Sequence, residues 1–467
     1  MAVKAKKINQ LPDGTPDQDS WIPFSNKDGK SFRFPMLEMG GRDFTGAKSA
    51  IVARPKQTAA KVQLFGDMTG IGKDLPVRMV LKYNDENGTV FTKLADVEWQ
   101  GATSLGNPKK SYSIDLLNID EDEFKIKFGD WVSIDSFHLK SNYSDVLGVR
   151  DIGIARIAKL VWETRPQSQA FPWSVSYSRG LPIKKIKDSG ARGVIDGFAC
   201  ELYVNGDYQG LYSWNLSRKR QNFNMDKGEV LQIMAGAENF YAFPPSAPWY
   251  RADQWDIKNP KFDVTAPQET QDALTRVIQF VQTSTQSDFT ANADQYLKID
   301  AVIDYFLIML VFWCTDNRVK NMNLVTYDGL VWWPCLYDMD RSIGIRHEAP
   351  LWGDIVGPEM YSDINDPFWQ ISLMYVKSLA GFKGRYDARY AELRNKYFNA
   401  EFLQPFFSEL SSTYPYDLWK DDIDLWGADG NHRILSNVGQ VIDFLIGRFA
   451  LLDPQFNYDP NPQSLLL

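Results

Sequence analysis

Asp316–Gly344 reads DNRVKNMNLVTYDGLVWWPCLYDMDRSIG, and it places an acid, an amide, a hairpin and two further acids in one short run. Asp316 stands five residues before Asn321. The apolar pair Leu324-Val325 and Tyr327 lead to Asp328-Gly329, and Leu330–Trp333 follow. Asp-Gly between two apolar runs predicts a hairpin with a two-residue turn. Beyond it the chain reaches Asp338 and Asp340. A surface hairpin with ordinary turn carboxylates would use the same residue types.

Upstream residues narrow the choice. The run from Trp99 to Ser104 (WQGATS) is followed by Pro108–Ile114 (PKKSYSI), and Phe137–Asp145 (FHLKSNYSD) ends near Arg150. Leu202–Tyr212 reads LYVNGDYQGLY, with Asn205-Gly206 as a second two-residue turn signal. These three blocks and the Asp316–Gly344 segment resemble, in order, the conserved blocks of the CotH family, atypical protein kinases named for a spore-coat protein. The resemblance spans roughly residues 58 to 350. In protein kinases a catalytic Asp and a metal-binding Asn share one loop, a short hairpin follows, and a second Asp holds magnesium. Neither HRD nor DFG occurs here.

The resemblance implies an α+β, two-lobed atypical protein-kinase-like fold, with a β-rich N-lobe and a helical C-lobe. It implies ATP and Mg2+ as cofactors if the site is active. Asp316 would be the catalytic base, and Asn321, Asp338 and Asp340 would supply the oxygen ligands that a hard cation prefers. Lys110 would hold the phosphates, and Gly101 and Gly106 would bracket a loop able to approach them. Alternation along Lys110–Leu116 puts Lys110 on the inward face with Tyr112, Ile114 and Leu116, and turns Lys109 to solvent. Asp145 and Arg150 read as an ion pair holding a helix. The chain departs from the family at Gln100, where an Arg is usual, and at Leu216, near the place of a Glu. Loss of that carboxylate would cost a phosphate-binding lysine its positioning, so the fold can persist as a scaffold.

With 467 residues, 44% hydrophobic and 24% charged, the chain is long and apolar enough for large cores. A net charge of −8 gives no global basic field for nucleic acid. The basic runs Lys184–Lys187 and Arg218–Arg220 read as solvated faces or phosphate contacts. Cys200, Cys314 and Cys335 lie in apolar surroundings without CxxC spacing, and only His138, His347 and His432 are present. Neither a disulfide framework nor a zinc site is expected, and HExxH, GxSxG and P-loop patterns are missing. The N-terminus shows no secretory apolar region, and the longest apolar run, Tyr305–Cys314, is short of a bilayer span.

Residues 1–50 read as a β-rich anchor, with short strands at Trp21–Phe24 and Phe32–Phe34 around Asp28-Gly29. The leader KINQLPDGTPDQDSWIPFSNKDGKSFRF resembles the N-terminal segments of phage virion proteins. Residues 51–380 form the expected kinase-like domain and 381–467 a helical extension. Strands are expected at Ala60–Phe65, Val77–Tyr83, Val90–Ala95, Val97–Gln100 and Lys110–Leu116. Helices are expected at Val146–Thr164, Ile299–Cys314 and Ile434–Leu452.

Three functions compete. The first is a phage virion protein, of the tail, acting as a structural or receptor-binding module. It would join other virion proteins or its own copies through residues 1–50 and contact a host surface receptor. The second is an active kinase. The third is a carbohydrate-binding adhesin using the aromatic loops Tyr241–Tyr250 and Trp352–Trp369.

Overall fold

The computed structural model describes residues 21–25, 31–35, 48–165, 190–238, 242–345, 355–427 and 436–460. The fold is α+β, and the chain divides into two interleaved compact units. The first holds Met1–Tyr143, Gly197–Ser217 and Thr413–Gly427; the second holds Ser144–Asp196, Arg218–Ser412 and Ala428–Leu467. This partition cuts the chain elsewhere than at residues 50 and 380.

Alternating apolar residues build the first unit. Its strands are β1 (Trp21–Ser25), β2 (Ser31–Pro35), β3 (Ser49–Val52), β4 (Ala60–Phe65), β5 (Val77–Asn84), β6 (Val90–Gln100), β7 (Ser111–Leu117), β8 (Lys125–Phe128), β9 (Ser136–Lys140), β10 (Gly197–Val204) and β11 (Asp207–Leu216). β1 and β2 pair antiparallel, as the leader predicts; the Asp28-Gly29 turn between them lies outside the described residues. Strands β10-β11-β9-β7-β6-β5-β4 close into a barrel, sealed by the parallel pairing of β10 with β4. Closure leaves no open edge in this sheet. The two strands expected at 90–95 and 97–100 are one, because β5 pairs with it without a break from Val77↔Val97 to Asn84↔Val90.

The barrel core is aromatic. Tyr83, Phe128, Trp131, Phe137, Phe198 and Trp214 are buried and touch one another edge-on or stacked. Burying each such ring contributes about 1.5–3 kcal/mol. Asn205-Gly206 makes the predicted two-residue turn, with φ of 52° and 92° and Val204 opposite Asp207. The Asn205 side chain also bridges the main chain of Gly66 in both directions at 2.9 Å.

The second unit packs helices on a four-stranded sheet ordered β13-β12-β14-β15, with β12 at Ile233–Ala237, β13 at Trp255–Asn259, β14 at Met322–Thr326 and β15 at Trp333–Leu336. Its helices are α1 (Arg150–Glu163), α2 (Gln268–Thr283), α3 (Gln286–Asn292), α4 (Ile299–Phe312), α5 (Leu373–Lys396) and α6 (Ala400–Ser412). Next comes α7 (Tyr416–Trp426), which belongs to the first unit, and the second unit resumes with α8 (Val438–Leu452). α4 is buried on every side, as its unbroken apolar run predicts. Its two acids are neutralised: Asp304 by Arg165 and Arg389, Asp300 by Arg165 and Arg385. α1 starts at Arg150 rather than Val146, and the Asp145 carboxylate accepts the Arg150 N–H at 3.0 Å, satisfying one of the amides a helix start leaves open. α8 starts at Val438, capped by the Asn437 side chain through the Gln440 N–H.

The Asp328-Gly329 hairpin has a seven-residue connection, 326–332, between its last paired residues, not a two-residue one. The last ladder pair is Val325↔Trp333, and Trp332 is drawn away to bridge Leu297. Asp328 accepts the N–H groups of Leu330 and Val331 and closes the turn locally. Of the aromatic loops, Phe243, Trp249, Tyr250, Tyr361, Phe368 and Trp369 pack against the core; Tyr241 and Trp352 lie outside the described residues. Among the described residues no helix is long and apolar enough to cross a membrane.

Candidate functional site

The β14–β15 register sets the candidate site in the second unit. Met322 lies opposite Leu336, so Asn321 and Tyr337 leave the ladder side by side, and Asp338 follows at once. Asn321 and Asp338 both have left-handed backbones, with φ of 56° and 57°. Few residues other than glycine adopt that conformation, and its cost persists where the surroundings enforce it. Here Asn317 enforces it. Its side-chain N–H groups bond the carbonyls of Asn321 at 3.1 Å and Tyr337 at 2.7 Å, tying the two strand ends together. The Asn321 N–H bonds the Ala237 carbonyl of β12 at 3.1 Å.

Asp316 is buried in the short 3-10 turn Thr315–Arg318, which α4 delivers. Asp338 and Asp340 are half-buried. The first turn of α1 grips the loop that carries them. Asp151 accepts the Met339 N–H at 2.8 Å, and fully buried Arg150 donates to the carbonyls of Ser342 at 3.1 Å and Ile343 at 3.4 Å. Arg150 also pairs with Asp145 at 2.5 Å, the ion pair the sequence led us to expect. Asp151 was missed by sequence reasoning, and a charged residue beside Arg150 at a helix start was its only signal. The structure thus brings Asn321 and Asp338 to one hairpin end, sets Asp316 on the preceding turn and holds Asp340 on the same gripped loop.

Lys110, Gly101 and Gly106 lie in the first unit, and here the expected lysine geometry is corrected. Lys109 does not face solvent. It is sealed at 0% side-chain exposure and bonds Ser141 O at 2.7 Å, Leu211 O at 2.6 Å and Asp422 Oδ1 of α7 at 2.6 Å. Lys110 is half-buried, and its ammonium donates to the carbonyls of Leu105 at 2.5 Å and Asn107 at 2.6 Å. The reason is register. β7 begins at Ser111, paired with Gln100, so strand alternation does not extend to residues 109 and 110. Gly101 has φ of 126°, and a Cβ there would fall 2.1 Å from Ser104 Oγ, so only glycine admits this turn. Gly106 ends the short 3-10 turn Thr103–Gly106, which supplies the Leu105 carbonyl to Lys110, and Asn107 just beyond it supplies the other. Leu216, where the family carries an acid, is fully buried and pairs with Phe137.

Chemically, Asn321, Asp338 and Asp340 present two carboxylates and one carboxamide. Among the described residues no three His, Cys, Asp or Glu side chains gather as a metal-holding group. The donor set is therefore oxygen-only and sparse. That fits magnesium, which keeps several waters and takes one or two carboxylates together with substrate phosphates.

A family model described as CotH kinase protein matches residues 97–452, just over three quarters of the chain. No curated protein matches the chain.

Proposed function

The chain belongs to the CotH family, and on that premise we propose that it is a protein kinase that moves the terminal phosphoryl group of ATP to a protein hydroxyl. The observation that carries this reading is the pairing of Asn321 and Asp338 at one hairpin end, both in enforced left-handed conformations. Magnesium bound with ATP would neutralise the phosphate charge. Asn321, Asp338 and Asp340 would hold it, and Asn317, Asp151 and Arg150 would keep those residues in place. Asp316 would accept the hydroxyl proton as the new O–P bond forms and ADP leaves. The test is thermal shift with Mg-ATP on the intact protein and on Asp338→Ala. Stabilisation of the intact protein alone is expected, about 2.7 kcal/mol at 100 times the Kd. Equal stabilisation of both would show that ATP binds elsewhere.

A second reading has its own support: a structural or receptor-binding component of a phage virion, in which the kinase-like fold is a scaffold. Buried Leu216 stands near the place of the family acid, and Lys109 and Lys110 are already engaged. The β1–β2 hairpin also precedes the family match, which starts at residue 97. In this reading residues 1–50 anchor the protein to virion partners or to further copies. Deleting residues 1–45 should leave a folded body that no longer assembles. Loss of its cooperative melting transition would place the segment in the core instead. An intact protein unshifted by Mg-ATP would favour this reading over the first.

A further inference from the structure

We propose that Arg218, backed by Lys258, is an anion subsite that takes the phosphate chain of the nucleotide in the second unit; this rests on the nucleotide-binding reading above. The sheet prepares the place. Gly236 of β12 lies opposite Asn323 of β14 and Asp256 of β13. A Cβ on Gly236 would stand 2.6 Å from Arg218 Nη1 and 3.1 Å from Asn323 Oδ1, so the missing side chain is the room the guanidinium occupies. Arg218 Nη1 donates to Asn323 Oδ1 at 3.1 Å, and the guanidinium lies 4.0 Å above the Tyr337 ring. Tyr337 directly precedes Asp338, just past the last ladder pair Met322↔Leu336, and Asn317 ties its carbonyl to that of Asn321. Arg218 therefore reaches the residue next to Asp338, one of the candidate metal ligands.

The donor count points to a ligand. Arginine has five N–H donors in a planar fork that matches phosphate. Among the described residues Arg218 uses one of them in a hydrogen bond, although its side chain is only 15% exposed. Glu238 and Asp256 stand at 3.6 and 3.8 Å from Nη2, beyond hydrogen-bond range. Glu238 is the more exposed, at 42%, and can turn aside for an incoming anion. Lys258, paired with Asp256, adds a second positive charge. Burial and the Arg218 charge push the Lys258 ammonium below its usual range, against the pull of Asp256. A bound phosphate would relieve that repulsion. Stacking on Tyr337 fixes the guanidinium plane, so little entropy remains to be lost when the fork binds.

The experiment compares Mg-ATP and adenosine binding by calorimetry on the full chain, Arg218→Met and Arg218→Lys. Loss of a charged hydrogen-bond contact predicts roughly 10- to 100-fold weaker Mg-ATP binding in Arg218→Met. Adenosine binding, which involves no phosphate, should stay within about twofold, and Arg218→Lys should recover part of the ATP affinity by charge alone. Unchanged ATP affinity in Arg218→Met would overturn the subsite while leaving the nucleotide reading intact. An equal fall for adenosine would mean that Arg218 only supports the fold, and would overturn it too. A native protein that binds neither ligand would remove the nucleotide reading and the subsite together.

Discussion

Replacing Lys109 with methionine tests the first unit at its most constrained point. The ammonium is fully enclosed and satisfies three acceptors: Ser141 O, Leu211 O and Asp422 Oδ1. It also lies 4.4 Å from the Tyr212 ring. Without it, the Asp422 carboxylate, only 5% exposed, keeps the Leu211 N–H at 2.8 Å and loses its counter-charge. Breaking a buried pair from one side costs about 3–5 kcal/mol, mostly as an uncompensated charge. The two orphaned carbonyls push the value toward the upper end. A solvent-facing lysine at this position would cost within about 0.5 kcal/mol. Urea unfolding followed by tryptophan fluorescence reads the difference, since Trp131 and Trp214 lie in the barrel core. Asp422→Asn and the double variant complete a cycle. Asparagine can still accept the Leu211 N–H, so the double variant removes both charges and keeps that bond. It should be less destabilised than the two single costs added together, with a coupling of about 2 kcal/mol or more. A Lys109→Met cost below about 1 kcal/mol, or strictly additive losses, would refute the buried pair.

Asp151→Ala removes the acceptor of the Met339 N–H between Asp338 and Asp340, and should cost about 1–3 kcal/mol. Amide exchange across residues 338–343 should quicken, and unchanged protection would show that α1 does not hold this loop. Glu86 gives a pH test: burial raises its carboxyl, but the N–H groups of Lys56, Gln57 and Thr58 and the Thr58 hydroxyl lower it further. Its folded pKa is therefore depressed, so its contribution is full above about pH 4.5 and is lost as pH falls through the folded value. Glu86→Gln should melt below the native protein at pH 7, with the gap narrowing as pH falls below about 4.5; a gap that stays constant on acidification would contradict this. Burial pushes the thiols of Cys200, Cys314 and Cys335 well above their usual range. A thiol reagent at pH 8 should label none of them in the folded protein and all after guanidinium, and rapid labelling of one would reveal an opening at its site.

What could be read from the sequence depended on how local the deciding contacts are. The Asn205-Gly206 turn needs only its own two residues to reach φ of 52° and 92°, and it forms as read. The apolar run of α4 announces a helix buried on all sides without reference to any partner. The Asp328-Gly329 turn carries an equally good local signal, yet Leu297, far back in the chain, takes Trp332 out of the hairpin and lengthens it. The two lysines show the same limit more sharply. Alternation ranks Lys110 above Lys109 only if the strand includes them, and the ladder ends at Gln100↔Ser111. What settles Lys109 is Asp422, 313 residues later, on a helix that nothing nearby assigns to the barrel unit. Gly210 shows that this contact shapes its surroundings: a Cβ there would stand 2.2 Å from Asp422 Oδ1 and 3.0 Å from Trp426 Nε1. The glycine of the GLY motif therefore makes room for α7, while the first lysine of the PKK motif neutralises the acid that α7 inserts. Two motifs that carry the family resemblance in a linear reading are, at Lys109 and Gly210, the two halves of a helix-docking contact. In the nucleotide reading proposed above, the phosphate-facing charge is then that of Arg218, which lies beside Tyr337.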